Sequence, residues 1–419
     1  VREAVRRLSV GVATVALLPG LAITADAAGA AAAETVTHEV DALGDAVDAD
    51  PRDGVCRTAS GTCTLRAAVQ ETRASRGPDV IVLPRGRIEL SRPLAWPLPS
   101  LVADLERDPS RGDLDLVGPV TVRGAAADAT TIDGNAIDRV FSVGPRSNLT
   151  LSDVKITGGD ATVADRTPAD IAIGGAILNL GRLTVERVAL VRNKADGGGG
   201  IFSTPFTTFT VRDSLIAFNT AAEGGGLRID GGATIVNSTI AGNRLFERPF
   251  SQLIPDEITG YGGGIDHRGS GNVTIVSSTI TGNTALKAGG GYTSGQGYAP
   301  IAPLTNVWPY RTTLLNTIVA GNTVGGRLDN CHVSSMVIES RGHNLADDGS
   351  CFLTGPGDRP GRAARLGALA DNGGPTRTRM PLAGSPAIDA GATGGCPGAD
   401  QRGVRRPRGT ACDIGAVER

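Results

Sequence analysis

Five asparagines, Asn193, Asn219, Asn243, Asn283 and Asn322, each close a phrase of the same pattern, and this repetition constrains the fold more than any other feature. Three residues before them stand Leu190, Ile216, Ile240, Ile280 and Val319. Eight before stand Val185, Val211, Ile235, Ile275 and Leu314, and nine before stand Thr184, Thr210, Thr234, Thr274 and Thr313. A Gly-rich block opens each unit, as in Gly198-Gly199-Gly200-Ile201 and Gly224-Gly225-Gly226-Leu227. From Ile177 to Ile201 the chain advances 24 residues, and from Ile201 to Leu227 it advances 26. A period of this length accommodates three short strands and three turns, the mark of a solenoid.

Stacked strands explain the columns. Alternate residues of a strand face opposite sides, so the apolar positions point into the coil and the neighbouring Thr points out. Like residues then stack at about 4.8 Å. An Asn column can link amides from coil to coil and satisfy turn backbone, while glycine permits φ > 0 and close backbone approach. Composition agrees: aromatics are only 3% and Gly numbers 59, which suits a thin core of small aliphatics with many turns. A leucine-rich repeat would need a recurring Leu pattern with a helical outer segment, which these units lack.

The expected fold is all-β: a parallel β-helix with three strands per coil, a short N-terminal capping helix and a disulfide-bonded C-terminal cap. The helix is predicted around Thr64 to Arg73, with Leu65, Ala68, Val69 and Thr72 on one face. The expected divisions are 1–33 as a signal peptide, 34–112 as an N-terminal cap, 113–330 as the β-helix and 331–419 as the C-terminal cap. The signal rests on Arg2, Arg6 and Arg7 before the apolar stretch Leu8 to Leu18, then small residues that place cleavage between Ala28 and Glu34. Export fits the six Cys, whose local spacing favours Cys56–Cys63, Cys331–Cys351 and Cys396–Cys412 among fifteen pairings. None has the Cys-x-x-Cys spacing of a zinc site. A net charge of −2 gives no global field for nucleic acid, so none is expected as a partner. A secreted monomer with no transmembrane segment in the mature chain is expected.

Cys63-Thr64-Leu65-Arg66-Ala67-Ala68-Val69 resembles the N-terminal "CSLREA" segment of bacterial exported proteins, with Ala67 in place of the family's Glu. Asn372-Gly373-Gly374-Pro375-Thr376, Gly384-Ser385-Pro386-Ala387-Ile388-Asp389-Ala390-Gly391, Asp400-Gln401-Arg402-Gly403 and Cys412-Asp413-Ile414-Gly415 are similar to the C-terminal run of "choice-of-anchor" β-helix proteins and to parts of polymorphic outer-membrane proteins. The resemblance implies a pectate-lyase-like right-handed β-helix at or outside the cell surface, and no settled activity, since that fold hosts lyases, hydrolases, epimerases and adhesins.

Two coils carry insertions, Arg244 to Tyr261 before a Gly block and Gly295 to Tyr310 after one, expected to flank a groove. Stacking places Arg228 against Asp266 and Asp230 against Arg268 between them. Such groups suit polyuronate chemistry, with carboxylates for Ca²⁺ and a positioned base; the plainer account is cross-strand ion pairs on a solvated face. His267 is expected to point inward. Tyr261, Tyr292, Tyr298, Trp308 and Tyr310 are candidates to stack on sugar. Asp48, Asp50 and Asp53 form a candidate Ca²⁺ turn, weighed against a solvated turn. Asp347-Asp348 is read as a turn. Asp358 to Arg408 holds nine Arg and four Asp; Arg402 is expected to pair with Asp413, and Arg405, Arg406 and Arg408 to be free for an anionic polymer. Two functions follow: a non-catalytic protein binding a polysaccharide or cell-surface glycan, and, as runner-up, a lyase or hydrolase acting on an acidic polysaccharide in the groove.

Overall fold

The computed structural model describes residues 34–75, 77–93, 109–162, 172–247, 259–295, 310–334 and 336–419. The expected signal region (residues 1–33), most of both insertion loops, and Tyr298 and Trp308 lie outside the described residues. Three long parallel sheets run the length of a coil stack. The first has ten strands, from Val36–Glu39 to Val337–Ser340; the second has eight, from Leu114–Leu116 to Cys331–Val333; the third has ten, from Gly86–Glu89 to Arg359–Pro360. The architecture is a parallel β-helix. A small fourth sheet, begun by Thr220–Ala221 and Arg244–Leu245, forms just after the repeat asparagines.

The register follows the sequence columns. Val185, Val211, Ile235, Ile275 and Leu314 pair in order on the first sheet, and Leu190, Ile216, Ile240, Ile280 and Val319 on the third. All join one continuous core. Between sheets, the Gly blocks leave no room for a side chain: a Cβ on Gly199 would lie 2.5 Å from the carbonyl oxygen of Gly225, and one on Gly225 would lie 2.4 Å from that of Gly263. The asparagines form an internal ladder in which Asn193, Asn219, Asn243, Asn283, Asn322 and Asn330 pass hydrogen bonds along in sequence. Asp347 ends the ladder by accepting from Asn330 Nδ2 at 2.7 Å, so the Asp347-Asp348 turn has a structural role.

The predicted helix is present as Leu65–Glu71, with the Thr64 side chain accepting from Ala67 N. Leu65, Ala68 and Val69 enter the core at its N-terminal end. Fully buried Arg66 reaches Asp45 at 2.6 Å and the carbonyl oxygens of Pro109 and Gly112. All three expected disulfides are formed. No helix among the described residues is long and apolar enough to cross a membrane.

The C-terminal region departs from expectation. The coil stack runs past residue 330, because Cys331–Val333, Val337–Ser340 and Leu345–Ala346 continue the three sheets. The chain then folds back along the flank. Ala364, Ala387, Ala390 and Ile414 cover Ile318 and Ala320, and Leu369 packs against Ala189, Leu215 and Ala217. These third-sheet positions alternate with core residues and face outward. The segment therefore covers an apolar outer face that would otherwise be wet, as well as closing the stack.

Candidate functional site

The outward column of the second sheet includes Phe202, Arg228, Asp266, Thr293 and His332 in register. Arg228 Nε lies 2.6 Å from Asp230, and its Nη1 contacts Glu223 and lies 3.4 Å from Asp266. Arg268 reaches Asp266 at 2.7 Å and Glu223 at 3.4 Å. The expected Arg228–Asp266 contact is present. Glu223, which joins both arginines, was missed. It occupies the position just before its Gly block, where it precedes Tyr261 in the stack, and counting register one residue further back would have found it.

The expectation of a solvated face is corrected: Asp266 is fully buried, and Arg228 and Arg268 are nearly so. The long guanidinium side chains lie over the column, with Arg228 5.7 Å from the Phe202 ring and Arg268 6.0 Å from that of Tyr261. Burial pulls the Arg228 pKa down, but Asp230, Glu223 and Asp266 more than reverse this and hold it above the ordinary arginine value. Such a guanidinium cannot act as a base at neutral pH. Burial pushes the Asp266 carboxyl up, partly offset by Arg268 and Arg228.

The aromatic candidates divide. Tyr261 and Tyr310 are half-buried, with Tyr261 5.8 Å from His332 and 5.7 Å from Lys287 Nζ. Tyr292 cannot stack on a ligand. It fills the coil interior, its hydroxyl bonded to Thr312 and lying 3.2 Å from His267 Nδ1. His267 points inward as expected, and burial lowers its pKa to about 4.

At the N-terminal turn, Asp48, Asp53 and Glu71 bring carboxylate oxygens within 4.8 Å of one another; Asp50 is not part of this group. Their oxygens already accept backbone N–H groups. Asp48 takes those of Asp50 and Arg57, Glu71 those of Arg52 and Gly54, and Asp53 that of Val55. The cluster staples the turn to the helix.

The basic loop is also corrected. Arg405 and Arg408 are exposed, but Arg406 is buried and donates to the carbonyl oxygens of Asp413 and Gly415 at 2.9 and 2.7 Å. Arg402 pairs with Asp400 at 2.9 Å, not with Asp413. Asp400 also accepts the backbone N–H groups of Val404 and Glu418, which makes the Asp-Gln-Arg-Gly motif a fold-back lock.

The open surface lies on the first sheet. Thr121, Thr150, Thr184, Thr210, Thr234, Thr274 and Thr313 stand in one unbroken register. Each is at least partly exposed. Arg123, Arg182 and Arg212 lie exposed on the same strands, two residues from the column and with no ion-pair partner among the described residues. Five of these threonines are evident as a repeat; the column's full length and its arginine borders emerge only in register.

No family model and no curated protein matches the chain, so the resemblance noted above rests on its motifs alone. Among solved structures, the chain is similar to a pectate lyase at 15% identity and a TM-score of 0.40, covering 92% of this chain and 97% of that one.

Proposed function

We propose that this is an exported, non-catalytic β-helix protein that holds an acidic polysaccharide along its first sheet. The observation that carries the reading is the exposed column of seven threonines bordered by Arg123, Arg182 and Arg212. Rungs repeat at about 4.8 Å, close to the advance of one pyranose along a linear polymer. Threonine hydroxyls both donate and accept, and guanidinium groups suit carboxylates. The second-sheet charges support a non-catalytic role, because each arginine there is held by carboxylates. Three disulfides fit an oxidising compartment outside the cytosol.

Retention on immobilised polygalacturonate at low and high salt tests the reading, using the full chain and the triple variant Thr184→Val, Thr210→Val, Thr234→Val. The expected result is salt-sensitive retention that the triple variant loses without a change in Tm. Release of unsaturated oligouronides, with or without Ca²⁺ and abolished by Asp266→Ala, would instead establish a lyase.

A further inference from the structure

The turn joining the first sheet to the third stacks Asp153, Arg187, Asp213, Asn237, Ser277 and Asn316, all with positive φ. Several of these side chains meet the folded-back C-terminal segment. Asn316 and Ala392 exchange two hydrogen bonds, at 3.0 and 2.7 Å, and Asn237 Nδ2 donates to Ala399 O at 2.7 Å. On the N-terminal side of the Asn237 contact the two surfaces separate, leaving a crevice of about 250 Å³. Arg187, Arg212, Asp213 and Asn237 line one side, and Pro375 and Pro397 are among the residues opposite.

The polar atoms of this crevice are not all used by the fold. Asn237 is 3% exposed, yet its Oδ1 has no hydrogen-bond partner among the described residues, and the same holds for the buried Oδ1 of half-buried Asp213. Buried acceptors without donors are costly. Arg212 is exposed, with no carboxylate in ion-pair range among the described residues. Arg187 is committed to Asp153, at 2.7 and 2.8 Å, and to Glu186. Burial raises the Asp213 carboxyl pKa, offset in part by a side-chain hydrogen bond with Asn237 and by the charge of Arg212.

We infer that this crevice is a subsite for a single uronic acid residue, whose hydroxyls donate to Asp213 Oδ1 and Asn237 Oδ1 and whose carboxylate meets Arg212. Inorganic phosphate or sulfate would leave the two acceptors largely unserved, and a bare cation would face Arg187 and Arg212. One pyranose carrying both hydroxyls and a carboxylate satisfies both ends, and the prolines offer apolar wall to its C–H faces. The inference deepens the proposed function and rests on it. Arg212 shares a strand with Thr210, so the crevice opens beside the threonine column.

Saturation-transfer NMR on the full chain, with D-galacturonate, D-glucuronate and their neutral parents D-galactose and D-glucose as probes, tests it. Millimolar uronate should bind, and the neutral sugars should bind about tenfold more weakly for loss of a charge-assisted contact. Arg212→Gln should cost the uronates a similar factor, and Asp213→Asn should weaken all four sugars, both with Tm unchanged. The Thr184→Val, Thr210→Val, Thr234→Val variant should bind monosaccharide normally while losing polymer. No binding of any probe, or binding unaffected by Arg212→Gln, overturns the subsite. If polymer retention survives that failure, the proposed function stands without it; if retention fails too, both fall.

Discussion

Asn219 Oδ1 accepts two hydrogen bonds from Asn193 one coil earlier, from the backbone N at 2.9 Å and from Nδ2 at 3.1 Å. Asn219 Nδ2 in turn donates to Leu190 O and to Asn243 Oδ1, both at 3.0 Å. Each asparagine thus satisfies buried backbone in one coil while bridging to the next. Asn219→Ala would strand donors of Asn193 and the carbonyl of Leu190 in a dry interior. Urea unfolding should show a loss on the order of 3 kcal/mol or more. Thr210→Ala, on the outer face, should stay within about 0.5 kcal/mol of wild type.

His267 gives the stability an acid-side slope. In the fold burial holds its pKa near 4, whereas the unfolded chain binds the proton near 6.5. The contribution of the neutral ring is full above pH 6.5 and is lost as pH falls through about 4, roughly 3 kcal/mol in all. Asp266 and Glu71, whose pKa values burial raises, act in the opposite sense. The measurement is therefore the difference between wild type and His267→Gln in urea at pH 7, 5.5 and 4. The gap should shrink toward acid.

The coil stack was legible because a β-helix repeats its environment: one residue's column predicts the next, as Thr184 predicts Thr210. The inward turn of His267 and the helix at Leu65–Glu71 followed from the same alternation and spacing. What escaped depends on contacts remote in sequence. Gln401 bonds Thr239 across 162 residues, and no local pattern announces such a partner. Arg406 looked free for a different reason: the carbonyls that bury it lie close by, in an irregular turn just past Cys412 that has no periodic pattern to reveal it. The second-sheet arginines looked solvated because neighbouring side chains, rather than backbone alternation, bury them.

The three loop arginines should separate on mutation. Arg406→Gln removes donors from buried carbonyls and leaves Glu418, 3.6 Å from Nη1, less well balanced. It should cost on the order of 2–3 kcal/mol. Arg405→Gln and Arg408→Gln should leave Tm nearly unchanged. A thermal melt of each single variant decides the matter.

Cys331 and Cys351 lie 20 residues apart, and Cys331 stacks directly on Tyr292 at the end of the second sheet. Replacing both with Ala should cost about 3 kcal/mol through the freed loop, measured by urea unfolding against wild type.

Calcium at millimolar concentration should not raise Tm, because backbone N–H groups already serve the carboxylates of Asp48, Asp53 and Glu71. A rise abolished by Glu71→Gln would show that the ion competes for them.

The fold-back of the C-terminal segment also alters how this solenoid can fold. A bare repeat array gains stability coil by coil, each needing only its neighbours. Here Gln401 grips Thr239, Ala416 N donates to Thr279 and Ala392 clasps Asn316. Coils made early are thus completed by residues made late. Loop closure over such spans is slow. The segment couples the coils it spans into one cooperative unit, so that fraying at the C-terminal end of the stack and exposure of that sheet become the same event.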